Sequence, residues 1–167
     1  EGAARAIVAR APAVVLAASD LHLGPGQDPV SGLYRRAETF FADGAFARWL
    51  RAHAETGDAR LLVLGGDTFD FTRIDDCPGG DAAMARWSAR LARVGRTLTP
   101  AQLAASLSYP DRAFGLRTDD FKSAWKLWLM LDGHPGFVAA LAGWLGAGNA
   151  ALLLKGNHDL ELHWPLV

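Results

Sequence analysis

Two patterns of apolar residues divide this chain. Three short runs are almost unbroken: Val14–Ser19 (VVLAAS), Leu61–Leu64 (LLVL) and Ala150–Leu154 (AALLL). Each is too short for a helix and rich in aliphatic side chains, so each predicts a strand covered on both faces, as in a parallel sheet. Each stops at a polar turn: Asp20-Leu21-His22 after the first, Gly65-Gly66-Asp67-Thr68-Phe69-Asp70 after the second, and Gly156-Asn157-His158-Asp159 after the third. Gly65 and Gly66 let the backbone turn tightly or approach a ligand.

Elsewhere large apolar residues recur every three or four positions, which predicts helices. Asp43 is the expected N-cap of a helix to about Ala54, with Phe46, Trp49, Leu50 and His53 on its buried stripe and Gly57 closing it. With its flanking strands it makes a βαβ unit over Ala13–Leu64 whose crossover should be right-handed. Further helices are expected over Asp81–Val94 (Met84, Trp87, Leu91, Val94), from Thr99-Pro100 over Leu103 and Leu107, and over Thr118–Leu131 (Phe121, Trp125, Trp128). A last one starts at Pro135 with Val138, Leu141 and Leu145 and ends at Gly146 or Gly148. Residues 1–12 read as a lead-in, and Gly24–Gly32 as a loop with no element of its own. The expected fold class is α/β, with residues 75–118 as a helical cap inserted between the second strand and the third.

Composition narrows the partners. At 167 residues, half of them apolar, the chain has enough material for one domain with a real core. Seventeen basic and eighteen acidic side chains leave a net charge of −1, so nothing pulls the whole molecule toward nucleic acid or an anionic membrane. Cys77 is alone, which excludes an intramolecular disulfide and a cysteine-rich zinc site and suits a reducing, cytoplasmic setting. No apolar run approaches the roughly 20 residues of a membrane helix, and no signal-peptide layout opens the chain. It begins on Glu1 and stops at Val167 soon after the third polar turn, so it reads as a portion of a longer protein.

Ligand sites in open α/β sheets lie beyond the carboxyl ends of the strands, so Asp20, His22, Asp67, Asn157 and His158 are expected to share one pocket. Turn and cap chemistry is the plain alternative for Asp and Asn after strands. Carboxylate, imidazole and amide oxygen together suit Mn, Fe or Zn. Asp67, central among them, is the candidate bridge between two ions, because a carboxylate damps the repulsion of cations held about 3.5–4 Å apart. Arg86, Arg90 and Arg93 form a stripe on the predicted 81–94 helix; a solvated face is the default, and a phosphorylated substrate is what such a stripe would steer at a pocket mouth. His53 reads as a core histidine, His134 as a loop or pre-helix residue, Cys77 as an inert loop residue and Asp159 as structural.

Taken in order, the three polar blocks resemble the first three signature blocks of the calcineurin-like metallophosphoesterases. The resemblance implies a β-sandwich flanked by helices and two divalent metal ions, with Asp20 and His22 on the first, Asp67 on both and Asn157 on the second. It implies metal-dependent hydrolysis of a phosphate ester or pyrophosphate bond by a metal-activated water. His158 is then the catalytic residue that stabilises the transition state or protonates the leaving oxygen, oriented by Asp70. The family completes its centre with a further His and a GHxH block downstream, and neither occurs in these 167 residues. Gly133-His134-Pro135-Gly136 precedes the third block and lacks the second His, and His163 lies too close to His158 to substitute. The chain therefore reads as the N-terminal part of one such domain, with partial metal occupancy and no useful turnover by itself. Ser19-Asp20-Leu21-His22-Leu23 and Phe69 are reminiscent of bacterial members, including lipid A pathway pyrophosphatases that cleave a UDP-sugar lipid, although those tend to carry Arg at the position of His158. A non-catalytic scaffold or binding module on the same fold is the alternative. A nuclease of the same family is a further one, which the balanced charge does not favour.

Overall fold

The computed structural model describes residues 12–54 and 60–167. Strands β1 (Val14–Ala18), β2 (Arg60–Gly65) and β3 (Ala150–Leu154) form one parallel sheet in the order β1-β2-β3. Leu16 lies beside Leu62 and Ala151, and Ala17 beside Val63 and Leu152. Side chains alternate between faces along a strand, so this register gathers Leu16, Leu62 and Leu64 on one face, where all three are buried. Val15, Val63 and Leu152 share the other face, where Val15 is 56% exposed. The expectation of strands covered on both faces is corrected: among the described residues one face of the sheet is covered and the other is open. A continuous apolar run says that a strand is apolar on both sides, not that both sides are met.

The covered face packs against α1 (Asp43–Ala52) and, beyond the intervening helices α2 (Gly80–Arg93), α3 (Pro100–Ser106), α4 (Tyr109–Phe114) and α5 (Asp120–Gly133), against α6 (Pro135–Gly146). Phe46 of α1 stacks on Phe137 of α6 at 4.6 Å, and the Trp144 indole donates to Ala150 O of β3 at 2.8 Å. Burying a large side chain of this kind is worth about 1.5–3 kcal/mol, so these rings hold the two helices on the sheet. The buried residues of α6 are Phe137 and Trp144, whereas Val138 and Leu145 of the expected stripe are exposed. That helix is apolar nearly all round, and periodicity then fails to choose a face. Asp43 is the first residue of α1 rather than its cap, which is Ala42, and Gly57 lies outside the described residues.

A second core lies among the helices α2 to α5. Met84, Trp87 and Leu91 of α2 meet Leu103, Leu107, Leu116 and Trp125, while Val94 ends the helix exposed. Helix α4 adds to the expected elements, and its Ser108/Asp111 capping box matches the Thr99/Gln102 box of α3. Helix α5 joins the two cores: Trp125 belongs to the second, Met130 to the first, and Leu129 touches both. No helix among the described residues is long and apolar enough to cross a membrane.

The loop after His22 is locked to the α5–α6 junction. It carries a short bridge of its own, Gln27 to Tyr34, where no element was expected. A Cβ on Gly133 would fall 2.2 Å from Pro25 O, so only glycine lets the two backbones meet, and Gln27 N donates to Gly133 O at 2.8 Å. Beside them His134 is wholly buried between Glu38 Oε2 and Asp43 Oδ1, each at 3.0 Å. It is a pre-helix residue as expected, and also the core histidine; His53 is half-buried, with its Nδ1 2.8 Å from Trp49 O. Burial alone would push the His134 pKa down, yet the bonds and charges of Asp43 and Glu38 outweigh it and raise it to about 9. Burial likewise opposes ionisation of Glu38, but His134 and the backbone N–H groups of Phe40 and Gly26 bring it down to about 2.

A raised histidine pKa stabilises the fold most below its ordinary value near 6.5, and that stability is lost as pH rises through about 9. Urea denaturation should show a loss on the order of a few kcal/mol between those limits, and His134→Gln should flatten this dependence; parallel pH profiles for both proteins would contradict it.

Candidate metal centre

Pairing between β1 and β2 continues past both strands. The N–H of Asp20 donates to Gly66 O (3.1 Å), that of His22 to Asp67 O (2.9 Å) and that of Leu23 to Thr68 O (3.0 Å), while Asp70 N donates back to Leu23 O (2.8 Å). Along this zipper three non-glycine residues hold positive φ: Asp20 at 54°, His22 at 51° and Asp67 at 49°. Such backbone costs about 1–3 kcal/mol per residue and persists where surrounding bonds over-determine it. All three are expected metal ligands.

The third block docks onto the second. His158 N donates to Asp67 Oδ1 at 2.9 Å, and Phe71 N to His158 O at 3.2 Å. Asp159 is fully buried and accepts from Gly156 N (2.5 Å) and Thr68 N (2.9 Å), the structural role foreseen for it. A Cβ on Gly156 would lie 2.0 Å from Asp67 Oδ1 and 2.6 Å from Asp67 N, so a bare backbone is required there. Asn157 is exposed in this turn, between the glycine that abuts Asp67 and the histidine that binds it.

Two donor sets result, and they share His22. Asp20, His22 and Asp67 each offer a ligand atom within 4.8 Å of the others, and so do His22, Asp70 and His158. Two carboxylates and an imidazole are a donor set that fits Mn, Fe or Zn. Asp70, 1% exposed, sits between both imidazoles: its Oδ2 is 3.3 Å from His22 Nδ1 and its Oδ1 is 3.2 Å from His158 Nδ1. The two rings meet edge to face at 4.6 Å. Burial pushes the Asp70 carboxyl up, but hydrogen bonds from Thr72 and Arg73 and the His158 imidazole 3.2 Å away outweigh it and hold it below the usual range, so it is anionic. An imidazole whose Nδ1 faces a carboxylate keeps Nε2 for an ion or a substrate. The resemblance pairs Asp70 with His158 alone. Its contact with His22 depends on the left-handed backbone of that residue, which no spacing reveals.

The arginine stripe is partly occupied. Arg90 Nη2 binds both carboxylate oxygens of Asp132, at 3.0 and 2.7 Å, and its guanidinium lies over Trp128; Arg86 lies over Trp125, and Arg93 is exposed. His163 is 3.0 Å from Lys155 Nζ and joins neither donor set.

No family model matches the sequence, and no curated protein or solved structure matches it either. The likeness to metallophosphoesterases rests on the three blocks themselves.

Gly156→Ala should drive Asp67 and the third block apart, costing about 1–3 kcal/mol of stability and weakening manganese binding at least tenfold by isothermal titration. Undiminished affinity in that variant would show that the two turns need not touch.

Proposed function

We propose that this protein hydrolyses a phosphate ester or pyrophosphate bond with a metal-activated water, as calcineurin-like metallophosphoesterases do. The observation that carries this reading is the meeting of the two donor sets at His22, assembled from three strand tips. When bound, a pair of Mn, Fe or Zn ions supplies charge against the phosphoryl oxygens and lowers the pKa of water toward neutrality.

The chain's own residues divide the remaining work. Asp20 and His22 would hold one ion, Asp67 would serve both, and Asn157 would offer its amide oxygen to the second. Asp70 is a positioning residue: buried and anionic, it fixes the tautomer of His22 and orients His158. His158, half-buried with Nδ1 toward Asp70, holds a proton on Nε2 for the leaving oxygen. Residues 1–167 then form the N-terminal part of the domain, with 75–118 as its cap, and the open apolar face at Val15 and Leu152 suits the second sheet of a sandwich. The substrate on this reading is a phosphorylated molecule rather than nucleic acid, met in the cytoplasm. Arg86 and Arg93 are the guanidiniums of the stripe outside a carboxylate pair that are left to capture it.

Metal analysis and aryl phosphate hydrolysis in the full-length protein test the assignment. Asp67→Asn should lose bound metal and turnover together, whereas His158→Ala should keep its metal and lose about 100- to 10,000-fold in kcat. Full metal content in Asp67→Asn, or hydrolysis that survives chelation, would overturn the proposal; metal binding with no hydrolysis would favour the scaffold alternative.

A further inference from the structure

The two donor sets that share His22 differ in chemistry. Asp20, His22 and Asp67 bring two carboxylates and one imidazole, whereas His22, Asp70 and His158 bring one carboxylate and two imidazoles. The hydrolytic reading uses Asp70 and His158 without an ion between them, yet the geometry of that second set suits one. Zinc holds nitrogen at about 2.0–2.1 Å, so donor atoms around a tetrahedral zinc ion stand about 3.3–3.4 Å apart. Asp70 Oδ2 is 3.3 Å from His22 Nδ1, and Asp70 Oδ1 is 3.2 Å from His158 Nδ1.

The hydrogen bonds around the set point the same way. An ionised carboxylate has about four lone-pair sites. Thr72 N and Thr72 Oγ1 both donate to Asp70 Oδ1, and Arg73 Nε takes one site of Oδ2 at 3.0 Å, which leaves a site on Oδ2 toward His22. His158 Nδ1 is buried against the occupied Oδ1 and makes no hydrogen bond, so its lone pair is left for a cation. Arg73 offsets the charge of Asp70, and the further negative potential comes from Asp20 and Asp67, each with a carboxylate oxygen within 4.8 Å of the His22 ligand atom. The His22 and His158 side chains are 29% and 34% exposed, which gives an ion its way in and a water its place as fourth ligand.

We propose that His22, Asp70 and His158 form a second, zinc-selective site, occupied in exclusion of the site at Asp20, His22 and Asp67. Two imidazoles suit zinc, whereas two carboxylates suit manganese. A neutral imidazole has one N–H and one lone pair, so His22 serves one ion at a time. Zinc on Nδ1 leaves Nε2 protonated and withdraws the ring from Asp20 and Asp67. If the hydrolytic reading holds, on which this last step rests, zinc in the second set removes His22 from the metal centre and His158 from the leaving oxygen, and it inhibits the manganese-loaded protein.

The test is calorimetric titration of chelator-stripped full-length protein with zinc and, separately, with manganese, with cobalt as a visible probe of the zinc site. His158→Ala should weaken the first equivalent of zinc at least about tenfold, abolish the visible bands of four-coordinate cobalt and leave manganese affinity unchanged. Asp20→Asn should do the reverse, weakening manganese and sparing zinc, and His22→Ala should weaken both. Retained manganese binding in His158→Ala reports that the variant is folded. Zinc affinity that survives His158→Ala but falls in Asp20→Asn would mean that both metals use one set and would overturn the proposal, as would equal effects of either variant on the two metals. Zinc bound as described in a protein without manganese-dependent hydrolysis defeats the hydrolytic reading alone. Manganese-dependent hydrolysis with zinc held through Asp20 defeats the second site alone.

Discussion

Backbone hydrogen bonds that carry β1–β2 pairing beyond the strands hold the candidate metal ligands in conformations they would not keep by themselves. Asp20, His22 and Asp67 all sit at positive φ, and each takes part in the zipper formed with Gly66 O, Asp67 O, Thr68 O and Leu23 O. Left-handed backbone strains a side-chain-bearing residue. The strain persists because buried acceptors and donors on both sides would otherwise be left unpaired, which is costlier. Asp159 secures the same region from the third block by binding Thr68 N and Gly156 N, and Gly156 lets Asp67 approach closely enough for its carboxylate to accept from His158 N. Loosening any one of these contacts would let the ligand backbones relax and the donor atoms separate.

Ion pairs, each with at least one buried partner, fix the segments that follow each block. After the first block, Glu38 reaches His134 at the α5–α6 junction. After the second, Arg73 closes on Asp70. After the third, Glu161 accepts from Lys126 of α5 at 2.9 Å, and one turn earlier on that helix Lys122 binds the buried Asp111 of the cap at 3.0 Å. Asp111 is opposed by burial, yet bonds from Arg117 N, Ser108 and Lys122 hold it well below the ordinary carboxylate range. Pairs of this kind contribute less to net stability than hydrophobic replacements would, but breaking one leaves an uncompensated charge. Their effect is positional: α5 becomes the strut to which α4, the first loop and the third block are all attached.

Much of this was legible in the residues. Three aliphatic runs, each ending in a polar turn, are enough to place three parallel strands and to bring their tips together, because strand ends on one side of a parallel sheet must converge. What was not legible depends on distant partners. His134 is a core histidine only because Glu38 and Asp43, more than ninety residues away, surround it. The buried face of α6 is chosen by Phe46, not by any period within the helix. Helix α4 carries a visible capping box but is too short to show a periodic stripe. Asp70 is pulled toward His22 by backbone geometry, and the unpaired indole of Trp125 appears only when the cap is folded over it.

An anomalous difference map from crystals grown with manganese would address the central claim most directly. The account predicts a peak within coordinating distance, about 2.0–2.3 Å, of Asp20, His22 and Asp67 side-chain atoms. A map in which manganese is absent there, or is found only at other carboxylates, would contradict it.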